Sequence, residues 1–238
     1  MSHPIWVSKG GNLSFQDILE SETKYIDAWA TIVKHWIFEP CRHLALNRNT
    51  TDRGMALLML ELAFFEPLGS IITGQESTGN SRKMFATGLK EFASWLRNKD
   101  IHERELIGEV EQNILCAGAD TDQANAIFSF ARCGLMHSMT MQGGQIFIDA
   151  LGIGKFSITD YKYAISSLSK KGEVIDSETI LLIDPWRLLI QMEEFTEFFV
   201  NKLRSAGNDS QAYRKFVTTF ERIIIRPGKV YLGLEKPV

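Results

Sequence analysis

Cysteine is scarce. Cys41, Cys116 and Cys133 are the three in 238 residues, an odd number at wide spacings. That excludes a disulfide framework, and no CxxC or Cys/His cluster has the spacing of a zinc site. No charge of one sign dominates: 26 basic side chains face 29 acidic ones, for a net charge of −3. No global positive field therefore draws in nucleic acid, and any such contact has to be local. The GxGxxG dinucleotide fingerprint and the GxSxG nucleophile elbow are both missing. Gly152-Ile153-Gly154-Lys155 lacks the full phosphate-loop pattern and the Ser/Thr after its lysine. Internal repeats, low-complexity tracts and linkers are absent as well. Met1 to Gly11 has no basic region followed by an apolar core, so no secretory signal is expected there. The longest apolar stretch, Met55 to Thr73, is broken by Glu61, Glu66 and Pro67. It reads as a buried core helix ending near Pro67 rather than a bilayer span. These absences lead us to expect a reduced, cytoplasmic protein with no membrane attachment, no cofactor and no metal.

What is present is a globular composition, 45% apolar and 23% charged, which excludes a disordered tail or a collagen-like repeat. Helical patterning dominates. Ser14 followed by Asp17 marks a helix start. Ile18, Tyr25, Trp29, Ile32, Val33 and Trp36 then recur at helical spacing to about His35, before Pro40. A second helix begins at Thr51-Asp52 and carries its apolar run to Phe65. A third spans about Ser81 to Arg97, with Met84, Phe85, Leu89, Phe92 and Leu96 on one face. Shorter periodic stretches predict helices over Glu103 to Leu115 and Asp122 to Met139. Strands are expected over Gln145 to Asp149 and Glu173 to Ile183. Asp184-Pro185 is a strong helix start, with a capping carboxylate and a proline in the first turn. The helix it opens runs to Ser205, and a last one covers Ser210 to Phe220. Trp29, Trp36 and Trp95 read as core, and Trp186 as a packing residue. His35 and His43 flank Cys41, but Pro40 and the spacing argue against a metal site there. The expected fold is mainly α: one domain, a helical bundle with a small β-hairpin insert at about 144–183, before C-terminal helices at about 185–222.

Residues 201 to 238 hold eight basic and three acidic side chains, so the other 200 residues are the more acidic part. A basic patch of this kind can meet phosphate. A solvated helix face is the plainer reading.

One segment carries chemical content: Arg132-Cys133-Gly134-Leu135-Met136-His137, late in a predicted helix. Histidine exchanges a proton near neutrality, and arginine grips two phosphate oxygens while staying charged. Together they suit phosphodiester cleavage in which the RNA 2′-hydroxyl is the nucleophile, and such a site needs no metal. Arg97 to His102 repeats the spacing, in a polar stretch expected to be a loop at a helix end. On a regular helix, residues five apart point about 140° apart. Arg132 and His137 can meet one phosphate if the helix loosens near Gly134 or ends near His137. Alternatively, a symmetric partner could bring two copies of the motif together.

The string Phe130 to Ser138, set in a helix after several others, resembles the HEPN-like superfamily. The resemblance spans about residues 51–140. It implies a helical bundle with an Arg-x(4–6)-His motif in a late helix, and a metal-independent endoribonuclease of toxin–antitoxin or phage-defence systems whose cleft forms at a homodimer interface. Carried over, Arg132 binds the scissile phosphate and His137 is the acid/base. Relatives often place a polar residue such as asparagine after the arginine; Cys133 stands there here. Some also carry an acidic residue in an earlier helix, for which Glu61 is the nearest match, although a surface-edge or salt-bridged carboxylate is the plainer reading of Glu61. The resemblance implies RNA as substrate or ligand, and a protein antitoxin or regulator as a further partner. The other reading is a non-catalytic dimeric helical scaffold or partner-binding accessory protein, in which Arg132 and His137 only cap or salt-bridge.

Overall fold

Ser14 opens the first helix as its sequence dictates. Its hydroxyl accepts a hydrogen bond from the Asp17 amide at 3.2 Å, and the Asp17 carboxylate accepts from the Ser14 amide at 2.8 Å. This reciprocal cap holds Asp17 ionised, lowering its pKa chiefly through the hydroxyl of Ser14. The computed structural model describes residues 14–19, 21–46, 51–107, 127–129, 146–149, 157–169 and 172–231.

Helix α1 is short, Phe15–Leu19. After a turn at Glu22–Lys24 capped by Ser21, α2 covers Tyr25–Val33. The chain does not stop before Pro40. A wide π turn at Lys34–Phe38 leads into α3, Glu39–Ala45, with Pro40 in the first turn of α3. There the missing proline N–H falls at the switch from π to α pairing, where it breaks no regular ladder. The π turn also overturns the expectation for Trp36. The extra residue rotates the register, so Phe38 is buried while Trp36 is 66% exposed.

Helix α4 covers Thr51–Thr73 and passes through Pro67 instead of ending there. Pro67 and Ala63, the residue whose carbonyl loses its partner, are both exposed, so water can satisfy that oxygen. Helix α5 covers Ser81–Ile107. It replaces the expected stop near Arg97 and absorbs the start of the helix expected from Glu103. Helices α4 and α5 form a tight hairpin. An added β-carbon on Gly69 would lie 1.8 Å from the Met84 carbonyl oxygen, and one on Gly88 would lie 2.0 Å from that of Phe65. At this crossing only glycine lets the two backbones approach so closely.

The insert is a three-stranded sheet ordered β1-β3-β2, from β1 (Ile146–Ile148), β2 (Ile158–Ser169) and β3 (Gly172–Ile183). β2 and β3 form the antiparallel hairpin, with Ile158 opposite Ile183 and Ser169 opposite Gly172. β1 adds in parallel, Ile148 opposite Ile183. Both expected strands are present; β2 is an addition to them.

Asp184 then caps α6, Pro185–Ser205, accepting from the Arg187 amide at 3.1 Å. Ser210 caps α7, Gln211–Phe220. A second π turn, Glu221–Ile225, leads to α8, Arg226–Tyr231. The core lies where α2, α4, α5, α6 and α7 meet. Trp29 packs on Phe199 and Phe216, and Phe195 packs on Phe64 and Phe92. The protein is thus mainly α with a small β insert. Among the described residues, only α4 is long and apolar enough to cross a membrane. Its apolar face is taken up by the bundle, with Leu57, Leu58, Leu62, Phe65 and Leu68 all buried.

Candidate functional site

The motif Arg132 to His137, with Cys133, lies outside the described residues. So do Cys116, the stretch 152–155 and most of the helix expected over Asp122 to Met139. The described segment Ile127–Ser129 lies immediately before the motif, and it is anchored on α5. Ile127 and Phe128 are buried. The Phe128 ring meets that of Phe85 edge-on at 5.3 Å. The Arg82 guanidinium lies 5.7 Å over the Phe128 ring and donates to the Ser129 hydroxyl at 3.3 Å. The chain that leads into Arg132 is therefore tied to the first turns of α5 by both apolar and polar contacts.

The alternative pair, Arg97 and His102, belongs to α5 and not to a loop. Both residues sit within one continuous helix, where a five-residue separation turns them about 140° apart.

Glu61 differs from the surface-edge or salt-bridged reading. It sits in the middle of α4, fully buried, and neither carboxyl oxygen has a hydrogen-bond partner. Burial, reinforced by the nearby charge of Asp184, pushes its pKa well above the ordinary glutamate range. The protonated form of Glu61, which can donate one proton, is thus favoured over the free anion. On α3, Cys41 is also fully buried, and burial with the neighbouring Glu61 and Glu193 pushes its thiol pKa upward. This cysteine is no nucleophile. His35 lies 2.8 Å from Glu39 on the next turn, and His43 is exposed. No group of three His, Cys, Asp or Glu residues able to hold a metal occurs among the described residues.

Sequence reasoning singled out Asp184 only as a helix cap and Asp149 not at all. Asp149 and Asp184 follow the parallel strands β1 and β3 at matching positions, and both are buried. Their amides continue the ladder, Asp149 donating to the Ile183 carbonyl and Asp184 to that of Ser157, each at 2.7 Å. The available signal was an aspartate directly after an apolar triplet, Ile146-Phe147-Ile148 and Leu181-Leu182-Ile183. Trp186 packs as expected: it is buried, with its ring against Gly54 of α4.

Three of the C-terminal cations form ion pairs. Lys202 pairs with Glu91 at 3.0 Å, Arg204 with Asp27 at 2.5 Å and Arg222 with Glu76 at 3.6 Å. Each reaches from a C-terminal helix to an acid contributed by the N-terminal half.

Comparison with known proteins finds no matching family model, no matching curated protein and no matching solved structure.

Proposed function

We propose that this protein is a HEPN-like, metal-independent endoribonuclease of the toxin–antitoxin or phage-defence kind, acting on RNA as a homodimer through Arg132 and His137. The observation that carries this reading is the setting of the Arg132–His137 motif. It stands in a mainly helical chain and begins three residues after a segment pinned to α5 by Phe128 and Arg82. Neutral His137 takes the proton of the 2′-hydroxyl, and the 2′-oxygen attacks phosphorus. Arg132 holds two phosphate oxygens and stabilises the five-coordinate charge. The bond to the 5′-oxygen breaks, and the imidazolium returns its proton to that leaving oxygen. The products are a 2′,3′-cyclic phosphate and a 5′-hydroxyl.

The test is RNA cleavage in EDTA by wild type, Arg132→Ala and His137→Ala, with size exclusion showing one oligomeric state for all three. Cleavage that leaves 2′,3′-cyclic phosphate ends and is lost in both variants is the expected result. A folded wild type inert on structured and unstructured RNA alike would move the assignment to a non-catalytic helical scaffold.

A further inference from the structure

Helices α5 and α6 leave a groove of 720 Å³ between their outer faces, lined by Glu91, Ser94, Trp95, Asn98 and Lys99 on one side and Phe198 and Lys202 on the other. Its floor is aromatic. Trp95 and Phe198 lie 6.2 Å apart with their rings tilted by 37°. Behind them, Phe195 packs edge-on against Trp95 at 5.6 Å, which fixes the indole plane. Phe198 is 44% exposed, although the buried stripe of α6 runs through Phe195 and Phe199, so it adds little to the core. At the rim, the Lys99 ammonium lies 5.6 Å over the Trp95 ring and pairs with Glu194 at 2.6 Å. Lys202 pairs with Glu91 at 3.0 Å. Such surface pairs contribute little, so a phosphate can take the place of either carboxylate at small cost.

We propose that this groove binds single-stranded RNA by stacking bases on Trp95 and Phe198 while Lys99 and Lys202 meet the flanking phosphates. The proposal rests on the ribonuclease reading for its choice of ligand. Fixed aromatic faces with lysines beside them are what an unpaired base and its backbone require. Asn98 and Ser94 offer hydrogen-bonding groups to a base edge. A duplex, whose bases already stack on each other, gains nothing from the aromatic floor.

Fluorescence anisotropy of the full-length protein with a 2′-O-methyl decauridine tests this, because that probe lacks the attacking hydroxyl and stays intact. The single strand should bind more tightly than a duplex of equal length. Phe198→Ala should weaken binding about 5- to 150-fold, the effect of one lost base–aromatic stack, and Phe198→Tyr should restore it. Lys202→Glu should weaken binding independently, and circular dichroism melts should show each variant folded. Equal affinity of wild type, Phe198→Ala and Lys202→Glu overturns the proposal, as does equal affinity for the duplex or no binding to the single strand. If cleavage still depends on Arg132 while Phe198→Ala binds normally, the groove assignment fails and the ribonuclease reading stands. If neither cleavage nor binding occurs, both fail.

Discussion

Gly69 sits against Met84 so closely that a β-carbon would fall 1.8 Å from the Met84 carbonyl oxygen. Gly88 repeats the arrangement against Phe65, so the two helices touch backbone to backbone on both sides of their crossing. A carbonyl cannot swing aside as a side chain does, so α4 and α5 have to separate to admit a methyl group. Gly69→Ala and Gly88→Ala are each expected to cost about 3 kcal/mol or more, the upper end of overpacking penalties. At Gly79, where φ is +73° and an added β-carbon meets nothing within 4 Å, alanine should incur only the left-handed backbone strain, about 1–2 kcal/mol. Urea midpoints at constant m-value measure all three.

Glu61 makes stability pH-dependent in a definite direction. Its pKa is raised in the fold by burial first and by Asp184 second, from a reference of 4.5. The folded protein therefore keeps a proton that the unfolded chain releases. Stability is greatest below the unfolded pKa and falls as pH rises toward the folded value, by up to about 1.4 kcal/mol per pH unit. Glu61→Gln mimics the protonated acid and removes this dependence. The stability gap between Glu61→Gln and wild type should widen in favour of glutamine from pH 5 to pH 8 in denaturant titrations. A constant gap would show that Glu61 is ionised in the folded state.

Trp29 and Trp36 look alike in the sequence and should behave oppositely. Trp29 is 5% exposed among Phe64, Phe199 and Phe216, whereas Trp36 is turned outward by the π turn. Trp29→Ala is expected to cost about 3–5 kcal/mol. Trp36→Ser should stay within about 0.5 kcal/mol of wild type. Acrylamide quenching should fall sharply only in the Trp36 variant. Equal destabilisation by the two changes would place Trp36 in the core after all.

Arg82 and Phe128 should couple. The guanidinium stacks on the ring that anchors the chain ahead of the Arg132 motif. A double-mutant cycle of Arg82→Ala and Phe128→Leu should return an interaction of about 0.5–1 kcal/mol, the scale of exposed cation–π contacts. Additive effects would mean that Phe128 alone holds this segment.

The helical bundle was legible because its signals are local. Ser14, Ser210 and Asp184-Pro185 each begin a helix as a capping residue should, and the buried faces of α5 and α6 follow the 3.6-residue period. Errors arose where local punctuation was overruled. Pro40 and Pro67 look like stops, yet one falls in the first turn of α3, just after a π turn, and the other on a solvent face. Strand β2 escaped notice because Lys170-Lys171, not an Asn-Gly pair, separates it from β3. Glu61 was visible as a lone acid in an apolar run, but its isolation was not. Burial without a partner depends on which side chains of α3 and α6 face it, and no spacing rule encodes that. The Trp95–Phe198 groove was hidden for a similar reason, since it joins two helices about a hundred residues apart.

The ion pairs and ring contacts that join α2 and α4 to α6 and α7 also have a timing consequence. Trp29 and Phe64 find their partners, Phe199, Phe216 and Phe195, only after the whole β insert has been made. At about 5–20 residues per second, synthesis from α5 to α7 takes roughly ten seconds. Through that interval the parts of Trp29 and Phe64 that meet Phe195, Phe199 and Phe216 have no partner to cover them. Closure awaits Phe216, so the newborn chain offers chaperones an apolar surface that the finished protein hides.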